Sequence, residues 1–316
     1  EKTNVTLSVG CRRRTSDHAM HCDRRLTMID FRIISALSFI VFAPFVGGFL
    51  EGLDRKISAR MQRRVGPSVF QPFYDVIKLL SKETIAVTAS QRFLLVSYMI
   101  LTVFTGAMFF FGSDLLMVFL MLSTAGVFLY LAGCVTSSPY SSMGAQRELM
   151  QELSYEPALL LTGLGFYIAE GTFRVQDIVN SRYSAVMFLP GFFVAFVFIL
   201  TIKMRKSPFD ESTSHHPHQE LVKGLTTEMG STNLAIFQIT EWYENVLMLG
   251  VVALFIINSS VYSIPIAIIV VLFTYFLEIL IDNTSARVKQ SKMLFLAWSV
   301  TLVSAGVNMI IIMLIR

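Results

Sequence analysis

Three glutamates, Glu148, Glu152 and Glu156, follow one another at intervals of four. On an α-helix that spacing stacks side chains along one face. Like charges held so close repel, so at least one of the three keeps its proton near neutral pH. A protonatable row is what a proton relay needs; the plainer reading is a solvated helix end with Arg147 as ion partner. An apolar run begins directly after Glu156. An ionisable side chain in hydrocarbon costs about 2.5–3.5 kcal/mol on insertion scales, so its presence there points to function. Glu241 and Glu244 lie three apart beside Trp242 and Tyr243 and can also share a helix face, with an interfacial aromatic belt as the alternative. Glu278 sits in the run TYFLEILID, where it needs a partner or a cavity unless it reaches water at the helix end.

Other chemistries find no support. Cys11, Cys22 and Cys134 are isolated thiols with no CxxC, and iron–sulfur clusters or structural zinc take about four closely spaced ligands. His215, His216 and His218 cluster within four positions, but without ligands elsewhere they fit packing or hydrogen bonding against a soluble partner better than a metal site. Phosphate-binding glycine loops and nucleophile–base triads are missing. The chain therefore reads as a non-catalytic part of a larger machine, with no cofactor and no metal of its own.

The elements that hold these acids must be membrane helices. Of 316 residues 54% are hydrophobic and 15% charged, against about 25% charged in a soluble domain, and the mean hydropathy is +0.61. A spanning helix takes about 20 mostly apolar residues. Eight runs qualify: Phe31–Leu50, Phe93–Phe111, Leu115–Val135, Pro157–Ala169, Ala185–Ile202, Leu234–Ile257, Ile264–Ile281 and Leu294–Ile315. The fourth is short and is expected to extend N-terminally through the polar stretch from Met143, which brings carboxylates into or near the membrane. The expected fold class is all-α, a polytopic integral membrane protein of eight transmembrane helices with large cytoplasmic loops.

Charge orients the bundle. Loop 51–92 carries eight Lys/Arg, 136–156 one, 203–241 four and 282–293 three, while 112–114 and 258–263 carry none and 170–184 only Arg174 and Arg182. The positive-inside rule makes the basic loops cytoplasmic and both ends of the eight-helix body external, in a cell inner (cytoplasmic) membrane. Residues 1–27 hold six positive charges on the predicted outer side and lack a signal-peptide core. They are expected to be a non-native or disordered extension ahead of Met28, leaving 28–316 as one membrane domain. The net charge of +4 reports topology, and no basic stretch has the interleaved aromatics of a nucleic-acid platform.

The segment LDRKISARMQRRVGPSVFQPFYDVIKLLSKE resembles the first cytoplasmic loop of the complex I subunit 1 family. Arg55, Lys56, Met61, Gln62, Arg64, Gly66, Pro67, Gln71, Pro72, Phe73, Asp75, Lys78, Leu79, Lys82 and Glu83 stand on the motif; Ser68 replaces its usual Asn and Asp54 its Glu. RELMQELSYEP, SPFDE…QELVKGLTTE, FQITEWYENVLM and ARVKQSKMLFLAW are similar to later segments in the same order, which adds Asp210, Glu220 and Glu228 to the candidate acids. The resemblance covers about 28–316 and implies the same eight-helix body. Lys203 departs from it, standing where complex I has an acid, and the loop containing SHHPHQE is about three residues longer. That loop looks like the energy-converting (Ech-type) [NiFe] hydrogenase branch.

The spacing of the acids and the resemblance together imply a proton path through Glu148, Glu152, Glu156, Asp210, Glu220, Glu228, Glu241, Glu244 and Glu278, and partner docking through Arg55, Lys56, Arg64, Gly66, Pro67, Asp75, Lys206 and the three histidines. The implied partners are [NiFe] hydrogenase large and small subunits, a ferredoxin-like Fe-S subunit and an antiporter-like membrane subunit. Fe-S clusters and the [NiFe] centre belong to those partners. The alternatives are the quinone-site subunit of NADH:quinone oxidoreductase and, from a different class, a stand-alone secondary transporter. The absence of a clear repeat between the two halves counts against the last of these.

Overall fold

A computed structural model describes residues 6–83, 88–210, 212 and 223–315, with side chains from Arg32 to Leu314. Among these residues ten α-helices follow one another: α1 Thr6–Met61, α2 Gln71–Ser81, α3 Ala89–Phe111, α4 Leu115–Cys134, α5 Pro139–Glu170, α6 Val175–Val179, α7 Pro190–Lys203, α8 Ser231–Leu254, α9 Ser263–Thr284 and α10 Gln290–Ile315. There is no strand among the described residues, only an isolated bridge between Asp114 and Arg174.

Local chemistry sets the helix boundaries. Proline in the first turn of α2, α5 and α7 occupies positions whose N–H has no helical partner. Gly112 (φ +86°) and Gly171 (φ +75°) end α3 and α5 in the left-handed conformation, which costs glycine nothing. Each of the eight predicted apolar runs lies largely within a helix, and the fourth does extend N-terminally, to Pro139. Two features of loop 51–92 were not expected. Helix α1 runs on to Met61, supported by the Glu51–Arg55 pair one turn apart at 2.5 Å. The amphipathic α2 then packs Val76 against α8.

Among the described residues five helices are long and apolar enough to cross a membrane: the Arg32–Met61 part of α1, α3, α4, α9 and the Gln290–Leu314 part of α10. Their most apolar stretches are only 22–44% buried, so large apolar side chains such as Phe42, Phe273 and Leu302 face outward. The other three are different. α7 has 14 residues, and α5 and α8 are diluted by acids. They form the inside of the bundle: α7 contacts α5, α8, α9 and α10, while α8 contacts α1, α2, α3 and α9. Inside a membrane bundle, ionisable side chains face neighbouring helices instead of lipid, which α5 and α8 require.

Phe255 anchors the main core, with Phe166 at 4.6 Å, Phe193 at 5.5 Å and Phe196 at 5.9 Å between ring centroids. Close backbone approach fixes the loop after α1 on that helix. At Gly52 a Cβ would run into the Val69 backbone carbonyl, which cannot rotate away. Gly52→Ala is therefore expected to cost about 1–3 kcal/mol, read as a lower melting midpoint of the purified protein.

Candidate functional site

The site is built where α7 ends. Met204 N–H donates to the Leu200 carbonyl at 2.8 Å and Lys206 N–H to the Thr201 carbonyl at 3.2 Å. Arg205 lies between them in the left-handed region, with φ 49°. This tight reversal turns three bases into the bundle instead of out to solvent: Lys203 and Lys206 are each 8% exposed, and the Arg205 side chain is 7% exposed.

Each base takes acids from other helices. The Lys203 ammonium donates to Glu244 of α8 at 3.1 Å and to the Tyr155 hydroxyl of α5 at 2.9 Å, 4.9 Å from that ring's centroid. The Arg205 guanidinium donates to Glu148 of α5 at 2.7 Å and to Glu241 of α8 at 2.5 Å. Lys206 donates to Asp54 of α1 at 2.8 Å and faces the Tyr275 ring of α9. Three helices, α1, α5 and α8, are thus tied to one turn by charge-assisted bonds, the strong class of hydrogen bond.

These groups open onto a cavity of about 790 Å³. Glu51, Asp54, Asp210, Glu241, Glu244 and Asp282 line it against Lys203, Arg205, Lys206 and Arg287. At its outer edge Arg287 donates to Asp210 at 2.7 Å and Ser207 N–H to Asp282 at 2.8 Å. Burial outweighs the neighbouring Arg287 and holds the Asp210 carboxyl above the usual aspartate range. The Trp242 indole donates to Glu51, and Arg55 bridges Glu51 to Asp75 of α2.

Beyond the ion pairs lie two further acids. Glu152 is 3% exposed and Glu278 fully buried, and neither has an ion pair among the described residues; the Glu152 carboxyl has no hydrogen bond among them, while the Thr201 hydroxyl stands beside the Glu278 carboxyl. Lys203 is the leading opposite charge near Glu152. The Glu152 carboxyl lies against α4 at Gly126, where a Cβ would overlap it. A buried carboxylate without a donor is the costly form. Glu278→Leu is accordingly expected to leave the melting midpoint unchanged or raise it, because no ion pair is broken and the desolvated carboxyl is removed. A fall of several degrees in the purified complex would show a hidden structural partner.

Of the sequence candidates, Glu148 and Glu152 share one buried face as their spacing implies, and Glu241 and Glu244 both face the bases after α7. Glu156 is half-buried, with no ion pair among the described residues, and Glu228 is half-buried beside the turn Gly224–Thr226. Lys56 is exposed on the last turns of α1, Arg64 and Pro67 are exposed on the loop after it and Gly66 is half-buried there, while Lys206 turns inward. Glu220, His215, His216 and His218 lie outside the described residues. Among the described residues no group of three or more His, Cys, Asp or Glu side chains is placed to hold a metal ion.

Sequence reasoning missed Lys203 and Arg205, which read as topology-setting charge at a helix end. The usable signal was the departure at Lys203: a base in place of an acid on a buried helix needs an acid opposite it. Tyr155 carried no signal of its own.

A family model described as NADH dehydrogenase matches residues 34–313. Hydrogenase-4 component C of Escherichia coli (strain K12) is 29% identical over 293 residues, 83% of this chain and 91% of that protein. One subunit of the NADH-quinone oxidoreductase of Rhodospirillum rubrum is 28% identical over 259 residues, 74% of this chain and 76% of that protein. A chain of the membrane-bound sulfane sulfur reductase, an archaeal respiratory membrane complex, superposes with a TM-score of 0.80 at 22% identity, covering 89% of this chain and 99% of that one. At that identity the last match establishes a shared fold.

Proposed function

We propose that this chain, which belongs to the NADH dehydrogenase family across residues 34–313, is the membrane subunit of a respiratory complex of the complex I and hydrogenase-4 kind, coupling a redox reaction on its basic face to ion movement through its buried acids. One observation carries this reading: three bases at the end of α7, all buried, are paired with acids of α1, α5 and α8 at the head of a cavity. A passive tether has no use for so many desolvated charges, each of which costs several kcal/mol to bury. Such a cluster responds as a unit: a charge arriving at the cavity redistributes protons and partners among the coupled groups behind it. Glu241, Arg205 and Glu148 form one hydrogen-bonded group, and Glu244, Lys203 and Tyr155 a second, with Glu152 beyond them.

In this reading eight helices cross the membrane. α5, α7 and α8 are shielded by the five apolar ones, and the basic loops face the cytoplasm. The exposed end of α1 at Lys56 and the loop at Arg64 and Pro67 receive the redox module, and His215, His216 and His218 are proposed to join them. The finer proposal is a ferredoxin-linked energy-converting [NiFe] hydrogenase, whose large, small and ferredoxin-like subunits hold the [NiFe] centre and Fe-S clusters, with an antiporter-like subunit alongside. Support comes from Lys203 in place of the complex I acid and from the similarity to hydrogenase-4 component C over 83% of the chain. Similarity to the Rhodospirillum rubrum oxidoreductase at nearly equal identity favours the second reading, a quinone-reducing complex. Co-purification separates them. A [NiFe] subunit with ferredoxin-driven hydrogen evolution supports the first, NADH-dependent quinone reduction the second, and a stable lone chain that transports solute contradicts both.

A further inference from the structure

A second cavity, of about 400 Å³, lies at the end of the bundle opposite the charged one, between α1, α3, α6 and α8. Arg32 of α1 and Asn180 after α6 give it a polar side, while Phe109 of α3 and Gly250 and Ala253 of α8, with Gly250 packed against Phe109, give it an apolar floor. The Arg32 guanidinium stands 6.0 Å from the Phe111 ring centroid, and its Nε is buried with no hydrogen bond among the described residues. The neighbouring hydroxyl, Ser35, is already committed to the Phe110 and Arg32 carbonyls, at 2.7 and 2.8 Å.

Depth identifies what such a pocket holds. Nineteen residues of α1 separate Arg32 from Glu51, about 28 Å at 1.5 Å per residue. That is close to the roughly 30 Å thickness of the hydrocarbon core. With Glu51 at the mouth of the charged cavity, Arg32 falls at the opposite headgroup level. A guanidinium is the side chain best suited to a phosphodiester, through two parallel charge-assisted bonds. A cation at phosphate depth above a dry floor is complementary to one molecule: an anionic phospholipid with an acyl chain tucked inward. We infer that the cavity at Arg32 is a binding site for a single anionic phospholipid, whose phosphate pairs with Arg32 and whose chain lies on Phe109 and Ala253.

Native mass spectrometry of the full chain in detergent, supplied with phosphatidylglycerol or phosphatidylcholine, tests the inference. One phosphatidylglycerol is expected to be retained in preference to phosphatidylcholine. Arg32→Gln should weaken that retention about tenfold, the scale of one lost charge-assisted bond, while Arg32→Lys keeps most of it. Ala253→Leu, which fills the floor and spares the charge, should reduce retention of both lipids, with folding of every variant checked by its melting midpoint. Excess inorganic phosphate should not displace the lipid. Equal retention by wild type and Arg32→Gln, displacement by phosphate alone, or a photo-crosslinker at Asn180 in the intact complex labelling a protein segment instead of lipid would each overturn the assignment.

Discussion

Replacing Arg205 by Met is expected to destabilise the protein by about 3–5 kcal/mol, the cost of stranding a buried charge by removing its partner. The arginine serves two acids at once, Glu148 of α5 and Glu241 of α8. Its loss leaves two carboxylates in a desolvated site with no counter-charge between them. The shape of the side chain and the left-handed backbone at position 205 are little altered by methionine, so the effect isolates charge. Adding Glu148→Gln to Arg205→Met should recover part of the loss, because one stranded carboxylate becomes a neutral amide. The melting midpoint and subunit yield of the purified complex report both. An Arg205→Met complex as stable as the parent would mean that water reaches the site.

Replacing Lys203 by Met is expected to reduce ion translocation about a hundredfold, the lower range for removing a positioned proton-transfer group, with the redox reaction retained. Lys203 holds Glu244 and Tyr155 and is the leading positive charge near Glu152, so without it the two halves of the buried file lose their common partner. Lys203→Arg keeps charge but not shape, since a planar fork replaces a compact ammonium; intermediate transport is expected. Comparing electron transfer with voltage generation in proteoliposomes separates lost coupling from lost assembly.

Much of the architecture was legible in the sequence because lipid-facing helices announce themselves: α3, α4, α9 and α10 are nearly unbroken apolar runs. The acids on α5 and α8 were legible for the opposite reason. Their fourfold and threefold spacing, next to apolar residues, puts charge where water is scarce. The turn after α7 was not. Its effect depends on Arg205 adopting a left-handed backbone and on Lys206 closing back on Thr201, and nothing in the string KMRKSP marks that conformation. Bases at a helix end usually set topology; here tertiary acids from three helices reverse the reading. Helix α2 was hidden by its short length inside a basic loop, and its pairing to α1 through Arg55 and Asp75 appears only in three dimensions.

Glu152 offers the most direct test that the buried acids carry charge. It has no hydrogen bond and no ion pair among the described residues, so Glu152→Gln removes a titratable proton without breaking a bond that holds the helices together. Ion uptake by proteoliposomes containing the whole complex, measured alongside electron transfer, should fall about a hundredfold with electron transfer and subunit composition unchanged. Uptake equal to the parent's in the same vesicles would contradict the account and leave the charged file as scaffolding.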